Sequence, residues 1–266
     1  MKNSLHSDFV YQLSALILSI IIVHGTYVTL IRPNAEAILA HQAQLEEEMQ
    51  EKQGQSRSFY IIIKDYEQEA AFILMFWALG IMGFKAYRIR QERRLLHRDL
   101  ITIEGGMSLL PEDAHRYVRP LQALSHKEQI HLPAKALSVA LRRFSTTRNI
   151  QNTSDSLNAL CEQEANRLDS ELAIIRYISW AIPSIGFIGT VRGIGAALGD
   201  AHKAVEGNIA GVTANLGVAF NSTFIALILS IILMFLLHQV QLTQERLVLD
   251  TQDYVDEKLI QHMQVR

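Results

Sequence analysis

Thr190 and Thr223 lie inside long apolar runs, with Asn215, Asn221 and Ser222 close by in sequence, and these are the side chains whose chemistry stands out. A hydroxyl or amide in hydrocarbon is costly unless it finds a partner, so a row of them marks either a tight helix contact or a wetted path. Hydroxyls order water but do not titrate near neutral pH. The usual proton carriers inside a membrane are carboxylates. Asp and Glu are absent from residues 9–31, 70–84, 177–199 and 211–237. A proton path built on these threonines therefore takes its acid from a second protein.

Small residues share the same runs. Gly186, Thr190, Gly193 and Ala197 recur at intervals of four, three and four, with Gly189-x-x-x-Gly193 alongside. Asn215, Ala219, Ser222, Thr223, Ala226 and Ser230 trace a second stripe. Such faces let helices approach closely. Two readings stand: packing within one subunit, or a polar wall turned toward something other than lipid. A lone threonine hydroxyl satisfies itself on the carbonyl one turn back, so the weight rests on the group.

Arg192 is the one formal charge well inside a run. Two residues turn a helix by about 200°, so Arg192 points away from the Thr190 face. It reads as a subunit-interface or snorkelling charge, with gating as the rival, and Arg192→Ala should damage assembly more than Thr190→Val does. His24 reads as a neutral helix-facing residue rather than a relay. His97, His115, His126 and His131 lack metal-ligand spacing and read as surface residues. Cys161 is the single cysteine and reads as inert. No phosphate loop, nucleophile elbow or His-Glu zinc motif is present, so the expectation is a protein that is not an enzyme and needs no metal or cofactor.

The elements that must position these residues follow from composition. The 266 residues are 49% hydrophobic and 20% charged, too apolar for an ordinary soluble domain. Lys and Arg number 25 against 27 Asp and Glu, which leaves no basic field for nucleic acid. Residues 9–31 form an uncharged run of about 34 Å as a helix. A second run, 70–84 and extendable to 87, is followed from Phe84 onward by Lys85, Arg88, Arg90, Arg93, Arg94 and Arg98, a cytoplasmic-side signature. Residues 177–199 and 211–237 are the third and fourth runs.

The resulting expectation is an all-α polytopic membrane protein with four transmembrane helices and both termini cytoplasmic. Residues 1–32 hold the N-terminus and first helix, 33–69 a periplasmic loop, and 70–87 the second helix. A helical cytoplasmic segment, 88–171, precedes the third and fourth helices, 172–241, and a cytoplasmic C-terminal helix, 242–266. Within the inner segment Leu132-Pro133 opens one helix, and Thr153 or Ser154 caps another that runs into the third span.

The string Ile182-Pro183-Ser184-Ile185-Gly186-Phe187-Ile188-Gly189-Thr190-Val191-Arg192-Gly193-Ile194, followed by Ala219-Phe220-Asn221-Ser222-Thr223-Phe224-Ile225-Ala226-Leu227, resembles the MotA/TolQ/ExbB proton-channel family. Gly-Thr-Val-x-Gly is similar to its TolQ and ExbB branch, whereas four spans and Pro183 look more like the flagellar branch. Val218 stands where ExbB-like members place a glutamate. The resemblance implies a stator-type proton channel in the bacterial inner membrane, a homopentamer around a dimer of a MotB/TolR/ExbD-like single-span protein that supplies an aspartate. It implies that Thr190, Thr223, Ser222 and Asn221 line the ion pathway, and that Pro183, Gly186, Gly189, Gly193, Ala197, Ala219 and Ala226 form the pore-face packing. Membrane lipid is the other partner. The rival reading is a noncatalytic scaffold or signalling anchor.

Overall fold

The computed structural model describes residues 2–49, 58–101, 103, 108–205 and 207–265. In chain order the helices are α1 (Lys2–Thr26), a π turn (Tyr27–Ile31), α2 (Arg32–Met49), α3 (Phe59–Ile63), α4 (Tyr66–Leu96), α5 (Ala114–Gln122), α6 (His126–Ile130), α7 (Leu132–Thr147), α8 (Ile150–Ser170), α9 (Ala173–Gly199), α10 (Ala201–Val205), α11 (Ala210–Lys258) and a 3-10 turn (Ile260–His262). Extended pairing among the described residues is limited to one bridge between Leu109 and Met263. Among the described residues four helical stretches are long and apolar enough to cross a membrane: Phe9–Gln42, Tyr66–Leu96, Ile150–Gly199 and Ala210–His262. The chain is an all-helical, multi-pass membrane protein. Large apolar side chains such as Phe9, Ile21, Trp180, Phe187 and Phe235 are exposed on these helices, an arrangement that hydrocarbon tolerates and water does not.

By packing the chain divides into two units. The first comprises Met1–Met82 with Ile174–Leu237, the second Gly83–Ala173 with His238–Arg266.

In the first unit α1 meets α4 through hydrogen bonds from the Tyr11 hydroxyl to Gly80 O (3.1 Å) and from Trp77 Nε1 to Gln12 O (2.9 Å). The helix begun by α1 does not stop where the apolar run ends at Ile31. It continues through the π turn, where Arg32 N–H donates to Tyr27 O, into α2. Pro33 explains the wide turn: it has no N–H to give to Thr29 O, so an α turn would lose that bond and press the ring on the carbonyl. Part of the stretch expected as a loop is therefore helical. Tyr27, Ile31 and Ala35 are buried in succession along it.

The second unit has an ordinary apolar core of Leu109, Leu121, Leu137, Leu141, Phe144, Leu157 and Val255. Leu132 and Pro133 do open α7. The cap of α8 differs from expectation: Asn149, whose side chain accepts from Asn152 N (3.0 Å), holds that position. Thr153 is fully buried one turn inside, its hydroxyl bonded to Asn149 O at 2.9 Å. Asn149 wins because its extended backbone (φ −137°, ψ 122°) is the geometry an N-cap needs. Between α8 and α9 only Glu171 and Leu172 intervene, closed by bonds to Arg167 O and Asp169 O.

Candidate functional site

Two helices of the first unit, α9 and α11, meet along the glycine stripe. A methyl group placed on Gly186 would lie 2.5 Å from Ala226 Cβ, one on Gly189 2.5 Å from Ser222 Cβ, and one on Gly193 2.7 Å from both Ala219 N and Asn215 O. No side chain fits at these three points, so the backbones themselves are in contact. The seam is closed at the α9 to α11 connection by Asp200, which accepts from Asn215 Nδ2 (3.0 Å) and Lys203 Nζ (2.8 Å). The Lys203 ammonium holds the Asp200 carboxyl below its usual range.

The hydroxyls work in this seam. Thr223 Oγ1 donates to Gly186 O (3.0 Å), Thr190 Oγ1 lies 3.0 Å from Ala219 O, and the two threonine oxygens are themselves hydrogen-bonded. Each hydroxyl has one hydrogen: Thr223 gives its own to Gly186 O and Thr190 gives its own to Thr223 Oγ1 or Ala219 O, so both are committed inside the seam. What the half-buried pair offers an incoming group is lone pairs. A protonated carboxylic acid can donate to them; a carboxylate finds no free donor. One turn toward the start of α9, Pro183 has no N–H for Ser179 O, and Ser230 Oγ supplies the missing donor from α11 at 3.0 Å.

The other expected residues distribute around this seam. Ala197 is buried on the same α9 face, Ala219 and Ala226 are buried on α11, and Asn221 is half-buried beside Ser222. Ser222 is buried, and its hydroxyl donates to Val218 O (2.8 Å). The stripe thus packs α9 against α11 within the chain.

Arg192 has its partner within the chain. Its guanidinium grips Glu67 in a two-pronged pair, Nε to Oε1 at 2.6 Å and Nη2 to Oε2 at 2.8 Å. Two residues on, Glu69 turns to the other side of α4 and pairs with His24 Nδ1 (2.6 Å) and with Arg32, whose guanidinium also covers the Tyr66 ring at 4.4 Å. The first turn of α4 therefore bridges α1, α2 and α9. These two acids were missed because the second apolar run was started at Ala70, which left them in the supposed loop. The available signal was a pair of acids in the opening turn of a helix, where the macrodipole favours negative charge.

Residues 128–253 match the model of the MotA/TolQ/ExbB proton channel family. The resemblance carried by the Pro183 to Ile194 and Ala219 to Leu227 strings holds over that stretch. A proton-channel subunit is what the match supports. Searches of curated proteins and of solved structures found no match. The family stretch contains the whole α9 and α11 seam; Glu67, Glu69, His24 and Arg32 fall outside it.

The remaining sequence candidates are structural. His97, His115 and His126 are exposed, but His131 is not the surface residue expected: it is half-buried, with Nδ1 3.3 Å from Glu92 Oε1 in the second unit. A buried carboxylate at the start of α7, also bonded to Leu132 N–H (3.2 Å), needs that partner. Cys161 is buried in the core. Among the described residues no group of His, Cys, Asp or Glu is arranged to hold a metal ion. In the basic cluster after the second run, Lys85 pairs with Glu171, Arg93 with Asp250 and Arg98 with Glu128.

Proposed function

We propose that the chain is a stator-type subunit of an inner-membrane proton channel, five copies of which surround a dimer of a single-span partner. The partner brings the titrating aspartate, and proton flow drives rotation or force transmission between the two components. In this reading both termini, the 88–171 segment and the C-terminal helix are cytoplasmic, as the basic cluster from Lys85 to Arg98 and an even number of crossings imply. The observation that carries the reading is the Thr190 and Thr223 pair within the family stretch, with both hydrogens committed and lone pairs left over. A neutral acid is a better guest there than its anion, so the partner's carboxyl is favoured at this point once it has taken a proton. Loss of charge lets it move past the small-residue helices, and that couples flux to displacement.

The intrachain packing of the glycine stripe favours the rival scaffold reading to the extent that helix contact alone accounts for the glycines. Flux separates the two. Co-expressed with a single-span, aspartate-bearing partner and reconstituted in vesicles, the complex should acidify the lumen down a proton gradient, and native mass spectrometry should find five copies with two. A complex of any stoichiometry that is proton-tight leaves only the scaffold.

A further inference from the structure

The first unit contains a glutamate whose aliphatic stem touches the seam. A methyl group on Gly189 would lie 2.6 Å from Ser222 Oγ and 3.2 Å from Glu67 Cγ, so the stem of Glu67 and the hydroxyl of Ser222 meet across a residue with no side chain. Glu67 is largely buried, its side chain 11% exposed, while Arg192 is about half exposed. The pair thus has one end in the protein and one end accessible. Ser222 spends its hydrogen on Val218 O and keeps lone pairs toward the point where the glutamate stem arrives. Thr223, half of the hydroxyl pair, is its immediate neighbour.

We propose that Glu67 is a proton relay built into this chain, loaded from the outer end of α4 and discharging through the Gly189 window into the hydroxyl seam. This rests on the proton-channel reading and adds to it an acid that the chain itself provides. In the loading step an O–H bond of hydronium breaks, one forms on a Glu67 oxygen, and water leaves; Arg192 loses its ion-pair partner. In the discharge step the Glu67 O–H breaks and the proton passes by way of water to the partner's carboxylate, which becomes the neutral acid the threonine pair accepts. Arg192 then re-forms the pair and resets the carboxylate as an anion. Electrostatics around Glu67 come from Arg192 on α9, from Lys64 and Asp65 just ahead of α4, and from Glu69, itself bonded to His24 and Arg32. Arg192 is the cation positioned to release and recapture the group.

A merely structural clasp makes a different prediction. Replacing both members of an ion pair with apolar residues of similar size leaves no orphaned charge and is often neutral for stability. The test uses the complete complex with its partner in proteoliposomes, read by a pH-sensitive dye under a potassium diffusion potential, with assembly read by native mass spectrometry. Glu67→Gln, and the double variant Glu67→Met with Arg192→Met, are expected to lower proton flux by at least about tenfold with the ring intact, the scale at which positioned proton-transfer groups contribute. Glu67→Asp keeps an acid and is expected to retain most of the flux. Flux within about twofold of wild type in the assembled double-Met complex overturns the relay, as does equal loss in Glu67→Asp and Glu67→Gln. Because the Met pair leaves no unpaired charge, it decides the matter if Glu67→Gln alone fails to assemble. Thr223→Val serves as the reference: if it abolishes flux while the Met pair does not, the channel reading stands and only the relay falls. A wild-type complex that passes no protons removes both.

Discussion

A single hydrogen bond between two threonines concentrates much of the chemistry in this chain. Thr223→Val keeps volume but removes the Thr223 donor from Gly186 O and leaves the Thr190 hydroxyl to the carbonyls of Ala219 and Gly186 alone. The expected cost in stability is about 1 kcal/mol, in line with side-chain hydrogen bonds between membrane helices, against a large fall in proton flux; a variant with unchanged flux in reconstituted vesicles would count against the channel reading. Asp65 makes a prediction about pH. Burial raises its carboxyl above the ordinary range, with Lys64 and Arg192 pulling the other way less strongly. The folded state therefore holds that proton more tightly than the unfolded chain does, and stability falls as pH rises from the ordinary carboxylate range through the raised value. Asp65→Asn should flatten that decline, so that its advantage in melting temperature over wild type, measured in detergent, widens as pH rises. A melting profile identical to wild type between about pH 4 and pH 7 would show that burial does not perturb the group.

At the scale of the helix, the sequence showed which faces would meet but not how the bonds would close. The three- and four-residue spacing of Gly186, Gly189, Gly193 and Ala197 located the contact face of α9, and Leu132-Pro133 located the start of α7, because helical periodicity and proline geometry are local. The pairing of Pro183 with Ser230 was invisible, since it depends on register between two helices about 50 residues apart in sequence. The double cycle tests it: Ser230→Ala should cost about 1 kcal/mol in the native background, and noticeably less alongside Pro183→Ala, where residue 183 regains its own N–H. Equal costs in the two backgrounds would mean that Ser230 serves something other than Ser179. The glycines provide an internal control. Gly193→Ala drives a methyl into the backbone of α11 and should destabilise by about 1–3 kcal/mol, whereas Gly195→Ala, with nothing within 4 Å, should be tolerated. If both are tolerated, the backbones are not in contact. Glu67 and Glu69 escape for a different reason: a hydropathy window ends where charge begins, so acids in the opening turn of α4 are counted with the loop before it.

For the molecule as a whole, the four crossings make a simple topological prediction. With Cys161 replaced by serine, single cysteines at the exposed positions Thr146 and Gln261 should react with an impermeant maleimide from the same side of the membrane, and one at exposed Ala40 from the opposite side. Labelling of all three from one face would remove the four-span arrangement. The wide turn at Tyr27–Ile31 sits part-way along one continuous helix. It contains one residue more than an α turn would need to cover the same rise, and that surplus gives the Pro33 ring its room. Excising Val28, which is exposed, closes the stretch toward ordinary helix, in which the ring presses on the Thr29 carbonyl, and should lower the melting temperature in detergent. A protein that keeps its melting temperature after so small a deletion would have no use for the extra residue, whereas a sharp drop would identify it as the shim that lets one unbroken helix carry a proline.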